Sequence, residues 1–95
     1  MREILIVEDH PDAQELLAGI VREAFPQARV SGAATAAEAQ VLARSRAWDL
    51  ALVDLHLPDG NGIDVIATLN AGCPQARIVV SSIYGDDGHL LPALH

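Results

Sequence analysis

Short unbroken apolar runs alternate along this chain with longer stretches whose apolar positions recur every three or four residues. Ile4 to Val7, Leu50 to Val53 and Ile78 to Val80 are the runs, each of strand length, and a weaker strand is expected at about Arg29 to Ala33. A strand with no polar alternation is buried on both faces, the condition of a parallel sheet covered by helices on either side. The intervening stretches read as those helices. Pro11 suits a first turn, Leu16, Leu17, Ile20, Val21, Ala24 and Phe25 form an expected inner stripe, and Pro26 ends it. Thr35 with Glu38 is a capping-box pattern that opens a helix running through Val41 and Leu42 to about Arg46. Ile63, Ile66 and Leu69 mark the inner side of a third helix, with Gly72 as its expected left-handed cap and Pro74 barring continuation. Pro58 presets a turn before that helix, where Gly60 and Gly62 are expected to supply positive φ. The fourth strand is expected to end at Ser81 and Ser82. Asp86 or Asp87 then caps an expected fourth helix bearing Leu90, Leu91 and Leu94.

Composition narrows this α/β picture. Ninety-five residues hold one domain with a small core, and the 51% of apolar residues include only three aromatics, Phe25, Trp48 and Tyr84. No apolar run is long enough to span a membrane, and the opening MREILIVED has neither the basic lead nor the apolar length of a signal peptide, so a cytoplasmic location is expected. Cys73 is the single cysteine, expected in a loop as an incidental thiol. A net charge of −7, with arginines but no lysine, repels phosphate backbones and makes nucleic acid a poor partner for this segment.

Some of the acids are placed too particularly for solubility alone. The first strand runs Ile6, Val7 into Glu8 and Asp9, the third runs Leu52, Val53 into Asp54, and the fourth ends in Ser81 and Ser82. In open parallel sheets ligands bind beyond the carboxyl ends of the strands. If the first and third strands are neighbours, three carboxylates converge there and resist joint ionisation unless a cation joins them. Oxygen ligands of this kind suit Mg2+, and Asp54 is then placed as a nucleophile able to carry a phosphoryl group. An aspartate closing a strand is often only a turn former, but the pairing of Glu8 and Asp9 with Asp54 favours the functional reading. His10 and His56 flank a carboxylate site and are expected to be solvated loop residues.

Three segments carry a family resemblance. ILIVEDHPD (residues 4–12), DLALVDLHLPDGNGIDVI (residues 49–66) and RIVVSSIYGDD (residues 77–87) together resemble the receiver domain of bacterial two-component response regulators. The resemblance spans residues 1–95 and implies a flavodoxin-like doubly wound sheet of order 2-1-3-4. It implies that Glu8, Asp9 and Asp54 bind Mg2+ with the backbone carbonyl of His56. Asp54 would accept a phosphoryl group from a histidine kinase, making the chain a signalling switch and not an enzyme. The phosphoryl-contacting hydroxyl would be Ser82 by the family's spacing, because strand alternation lets only one of Ser81 and Ser82 face the site. The family places a lysine at the end of a fifth strand, and neither that lysine, that strand nor the helix after it is found here. An exposed fourth-strand edge or fourth helix is therefore expected to promote self-association. A module that keeps the fold and only binds other proteins is the alternative. A phosphatase with an aspartyl intermediate ranks last, because His56 stands where a second aspartate is usual. The LPDGNG segment also resembles receivers joined to helix-turn-helix output domains.

Overall fold

The computed structural model describes residues 1–81, 83–84 and 89–90. Four parallel strands form the sheet: β1 (Glu3–Val7), β2 (Arg29–Ala33), β3 (Leu50–Asp54) and, after two short strands, β6 (Arg77–Ser81). Their order is β2-β1-β3-β6, as expected for the flavodoxin-like arrangement. Helices α1 (Pro11–Ala24), α2 (Ala36–Ser45) and α3 (Gly62–Gly72) make the crossovers. Between β3 and α3 lie the two-residue strands β4 (His56–Leu57) and β5 (Gly60–Asn61), which pair antiparallel.

Alternation along β1 and β3 divides the core between the two faces of the sheet. Leu5, Val7, Ala51 and Val53 pack with Ala39 and Ala43 of α2, Val65 and Leu69 of α3, and Trp48. Ile4, Ile6 and Leu50 pack with Ala18 and Val21 of α1. Full burial of one such aliphatic side chain contributes about 1.5–3 kcal/mol, so β1, with four buried residues, is the axis of the fold. Trp48 closes the α2 side at the amino end of β3, where its indole N–H donates to the Leu42 carbonyl at 2.9 Å and the Arg46 guanidinium lies 5.4 Å above its ring.

Several local expectations are corrected. Leu16 and Ile20 do not face the core and are 59% and 56% exposed, and Ala24 is exposed too. The buried line on α1 instead runs through Ala18 and Val21, flanked by Leu17 and Phe25, which cluster with Ile4 and Ile6 of β1 and Leu50 of β3. Ile63 is likewise exposed, and the inner line of α3 is Gly62, Val65 and Leu69. Gly72 is helical, and α3 closes at Cys73, whose N–H donates to Leu69 O with φ of −133°, so no left-handed glycine is used. Cys73 is buried, and its thiol faces the Arg46 carbonyl at 3.7 Å. The Thr35 cap holds as expected: Thr35 Oγ1 accepts the Glu38 N–H at 3.1 Å, while Glu38 reaches back to the Ala34 N–H at 3.1 Å.

The fourth strand ends at Ser81, with Ser82 outside the described residues. Where a fourth helix was expected to carry Leu90, the short strands β7 (Ile83–Tyr84) and β8 (His89–Leu90) pair antiparallel. Asp86, Asp87, Leu91 and Leu94 lie outside the described residues. Val79 on β6 is 46% exposed, on the side of the sheet that carries Leu52 and α1; the expectation of self-association rests on this flank.

Candidate phosphoacceptor and metal site

The chain leaves β1 for β2 on one side and returns to β3 on the other, so a crevice opens between the carboxyl ends of β1 and β3. The register fixes what meets there. Val7 is opposite Val53, so the next residues, Glu8 and Asp54, emerge side by side. Glu8 is also tied to β2, its N–H donating to Ala33 O at 2.9 Å. Gln14 of α1 bridges the same two strand ends, its side-chain amide donating to Glu8 O at 3.2 Å and Ala33 O at 3.3 Å.

Both acids are buried, Glu8 at 1% and Asp54 at 4% exposure. Glu8 Oε2 accepts the His10 N–H at 3.1 Å and lies 3.3 Å from His10 Nδ1. Asp9 Oδ1 is 3.2 Å from the same ring nitrogen, near enough for charge pairing but not aligned as a hydrogen bond. Glu8 Oε1 and Asp9 Oδ1 are both buried without a hydrogen-bond partner. Such oxygens are costly unless something fills their lone pairs. Burial raises the proton affinity of Glu8 most, and the Asp54 charge and the Asp9 carboxyl push it further up, against the His10 hydrogen bonds that favour its ionised form. The His10 imidazolium is favoured in turn, first by its bond to Glu8 and then by the charges of Asp9 and Glu8.

Ligand atoms of Glu8, Asp9 and His10 lie within 4.8 Å of one another. Asp54 stands outside that tight group and acts on Glu8 through its charge. The structure therefore unites Glu8, Asp9 and Asp54 at one crevice, as the sequence suggests, and adds His10, which is exposed but not merely solvated. The signal was its place two residues after Glu8, within reach of that carboxylate across a tight bend. The donor set suits a hard divalent cation, since two buried carboxylate oxygens without partners converge beside a third acid.

The loop after Asp54 is held closely. Asp54 Oδ1 accepts the His56 N–H at 3.0 Å, and the Gly62 N–H donates to Leu55 O at 3.1 Å. Gly62 is required by space and not by positive φ: a Cβ there would overlap the Asp54 carbonyl oxygen. At Gly60 a Cβ would come within 3.1 Å of Ala36 Cβ, again with no left-handed conformation.

Comparison with known proteins agrees with this fold. The family model described as the response regulator receiver domain matches residues 4–95. The photosynthetic apparatus regulatory protein RegA of Cereibacter sphaeroides is 35% identical over 82 residues, covering 86% of this chain and 43% of that protein. The response regulator protein PilR of Pseudomonas aeruginosa is 32% identical over 93 residues, covering 98% of this chain and 20% of that protein. The chain thus spans less than half the length of these curated relatives. Among solved structures, TrrA of Thermotoga maritima in complex with Mg2+ and BeF superposes with a TM-score of 0.77 at 27% identity, covering 90% of this chain and 73% of that one. MaeR bound to beryllium trifluoride gives 0.76 at 30% identity, with 90% and 70% covered. With its sheet order that of the fold and residues 4–95 matched by the family model, this chain belongs to the response regulator receiver domain family.

Proposed function

We propose that this chain is a phosphorylation-controlled switch in which Asp54 accepts a phosphoryl group from a histidine kinase in the cytoplasm. One observation carries the reading: Glu8 Oε1 and Asp9 Oδ1 are buried without partners beside the buried Asp54. Glu8, Asp9, Asp54 and the backbone carbonyl of His56 would hold Mg2+, whose double charge offsets both the repulsion among the acids and the negative charge of an incoming phosphoryl group. A similar solved structure supports the same reading: a Burkholderia pseudomallei response regulator with a phosphorylated aspartic acid and a calcium ion, 30% identical with a TM-score of 0.70.

The residues of the chain divide the work. An Asp54 carboxylate oxygen attacks phosphorus, the bond to the kinase imidazole nitrogen breaks, and that nitrogen keeps the electron pair. The His56 N–H fixes the orientation of the attacking carboxylate through Oδ1. Glu8, its backbone N–H held by Ala33 O and its carboxylate by the His10 N–H, is fixed in place beside the reaction. The Ser82 hydroxyl, outside the described residues, is assigned to the transferred group. Phosphorylation then shifts the population between two states of the surface around β6.

The test is chemical. Incubation with acetyl phosphate and Mg2+ is expected to add one phosphoryl group, seen by intact mass, that Asp54→Asn and chelation each abolish. An unmodified wild type, or an undiminished adduct in Asp54→Asn, removes the switch and leaves a fold that serves only for binding.

A further inference from the structure

Asp54 is followed by a ribbon, β4 and β5, whose register pairs His56 with Asn61 and Leu57 with Gly60. Pro58 and Asp59 form its two-residue turn. That turn is fastened to another part of the molecule. Asp59 Oδ1 accepts the Ala36 N–H at 2.6 Å and Oδ2 accepts the Ala37 N–H at 3.1 Å, so a residue 22 and 23 positions later caps the start of α2. Those two donors are half of the four that a helix leaves unsatisfied. Thr35 Oγ1 takes a third, that of Glu38, and the Thr35 carbonyl accepts the first intrahelical bond, from Ala39.

The local cap alone would be ordinary for a helix start, so the carboxylate from the ribbon needs its own account. The Asp59 charge is favoured by the donors it meets, its proton affinity lowered first by the Ala36 bond and then by the Ala37 bond. A second contact agrees with the first, since the close approach of Gly60 to Ala36 seats the ribbon on α2 by shape as well as by hydrogen bonds. At the other end of the ribbon, Asn61 caps α3, its Oδ1 accepting the Ile63 N–H at 2.8 Å. The ribbon is thereby clamped between two helices. His56, whose N–H already holds Asp54, lies on the strand between the clamp and the acid.

We propose that Asp59 is a positioning residue for the Asp54 site: by fastening the ribbon turn to α2, it fixes His56 beside Asp54 and so sets the affinity of the site for a divalent cation. This rests on the metal-dependent reading above. Small displacements of groups that orient a ligand commonly cost about tenfold in metal affinity.

The experiment is calorimetric titration of Mg2+ into the wild type, Asp59→Ala, Asp59→Asn and Thr35→Ala, with the urea midpoint of each. Thr35→Ala weakens the same helix start without touching the ribbon. Asp59→Ala is expected to lower the Mg2+ association constant about tenfold, Asp59→Asn to fall between it and the wild type, and Thr35→Ala to lower the midpoint while keeping wild-type affinity. If Asp59→Ala does not fold, Asp59→Asn against Thr35→Ala decides. Equal loss of affinity in the Thr35 and Asp59 variants, or wild-type affinity in the Asp59 variants, overturns the positioning role and leaves the switch standing. A wild type that takes up no Mg2+ overturns both.

Discussion

Glu8 shows how a single residue can serve function against stability. Its carboxylate is buried, one oxygen has no partner, and burial together with Asp54 raises its proton affinity. The sign follows from linkage: a folded-state pKa above the unfolded value of 4.5 means that ionised Glu8 opposes folding above that pH, and that the penalty fades as pH falls through the raised value. Glu8→Gln is therefore expected to raise stability in chelator at neutral pH, because it removes a buried charge that opposes folding there. Adding Mg2+ should stabilise the wild type and not the variant; thermal melts with and without the cation check both statements. The sequence exposed Glu8, Asp9 and Asp54 because each directly follows an apolar run, so strand ends could be counted. It did not expose His10, which is exposed like any loop residue and is distinguished only by bonds to Glu8. Nor did it expose Asp59, whose partners at Ala36 and Ala37 are brought near only by the folded chain.

At the scale of elements, strands were more legible than helix faces. A fully buried parallel strand has no face to choose, and Ile4–Val7 and Leu50–Val53 were readable as continuous runs. A helix must choose one, and α1 has apolar residues on too many sides for spacing to decide. Small Ala18 allows close approach to Ile4 and Ile6, and that packing turned Leu16 and Ile20 outward. The measured consequence should be a contrast between two leucines. Leu69→Ala, in the buried line of α3, is expected to cost about 2–5 kcal/mol, whereas Leu16→Gln should stay within about 0.5 kcal/mol. Urea unfolding of both variants would show it, and comparable losses would mean that α1 packs by its other side. Gly62 belongs here too: its place after a turn suggests positive φ, but its lack of a side chain is what lets α3 begin against the Asp54 carbonyl.

For the whole molecule, the two ends of the sheet have opposite electrostatic characters. At the carboxyl ends the acids repel one another, while at the amino ends Asp49 is a fastener. Its Oδ2 accepts the Arg2 N–H at 2.7 Å and the Glu3 N–H at 3.0 Å, which ties the start of the chain to the entry of β3. The Glu3 bond and then the Arg2 bond hold the Asp49 pKa below 3.8. A depressed folded-state pKa stabilises above the unfolded value and loses that contribution as pH falls through the folded one. Acidification below 3.8 should therefore lower the melting temperature more in the wild type than in Asp49→Asn. Trp48 stands next to that fastener, enclosed by the core, with the length of β3, roughly 13 Å, between its end of the strand and Asp54. The lone indole is consequently a built-in reporter of unfolding: its emission should stay silent when a cation enters the distant crevice and change only when the entire sheet comes apart.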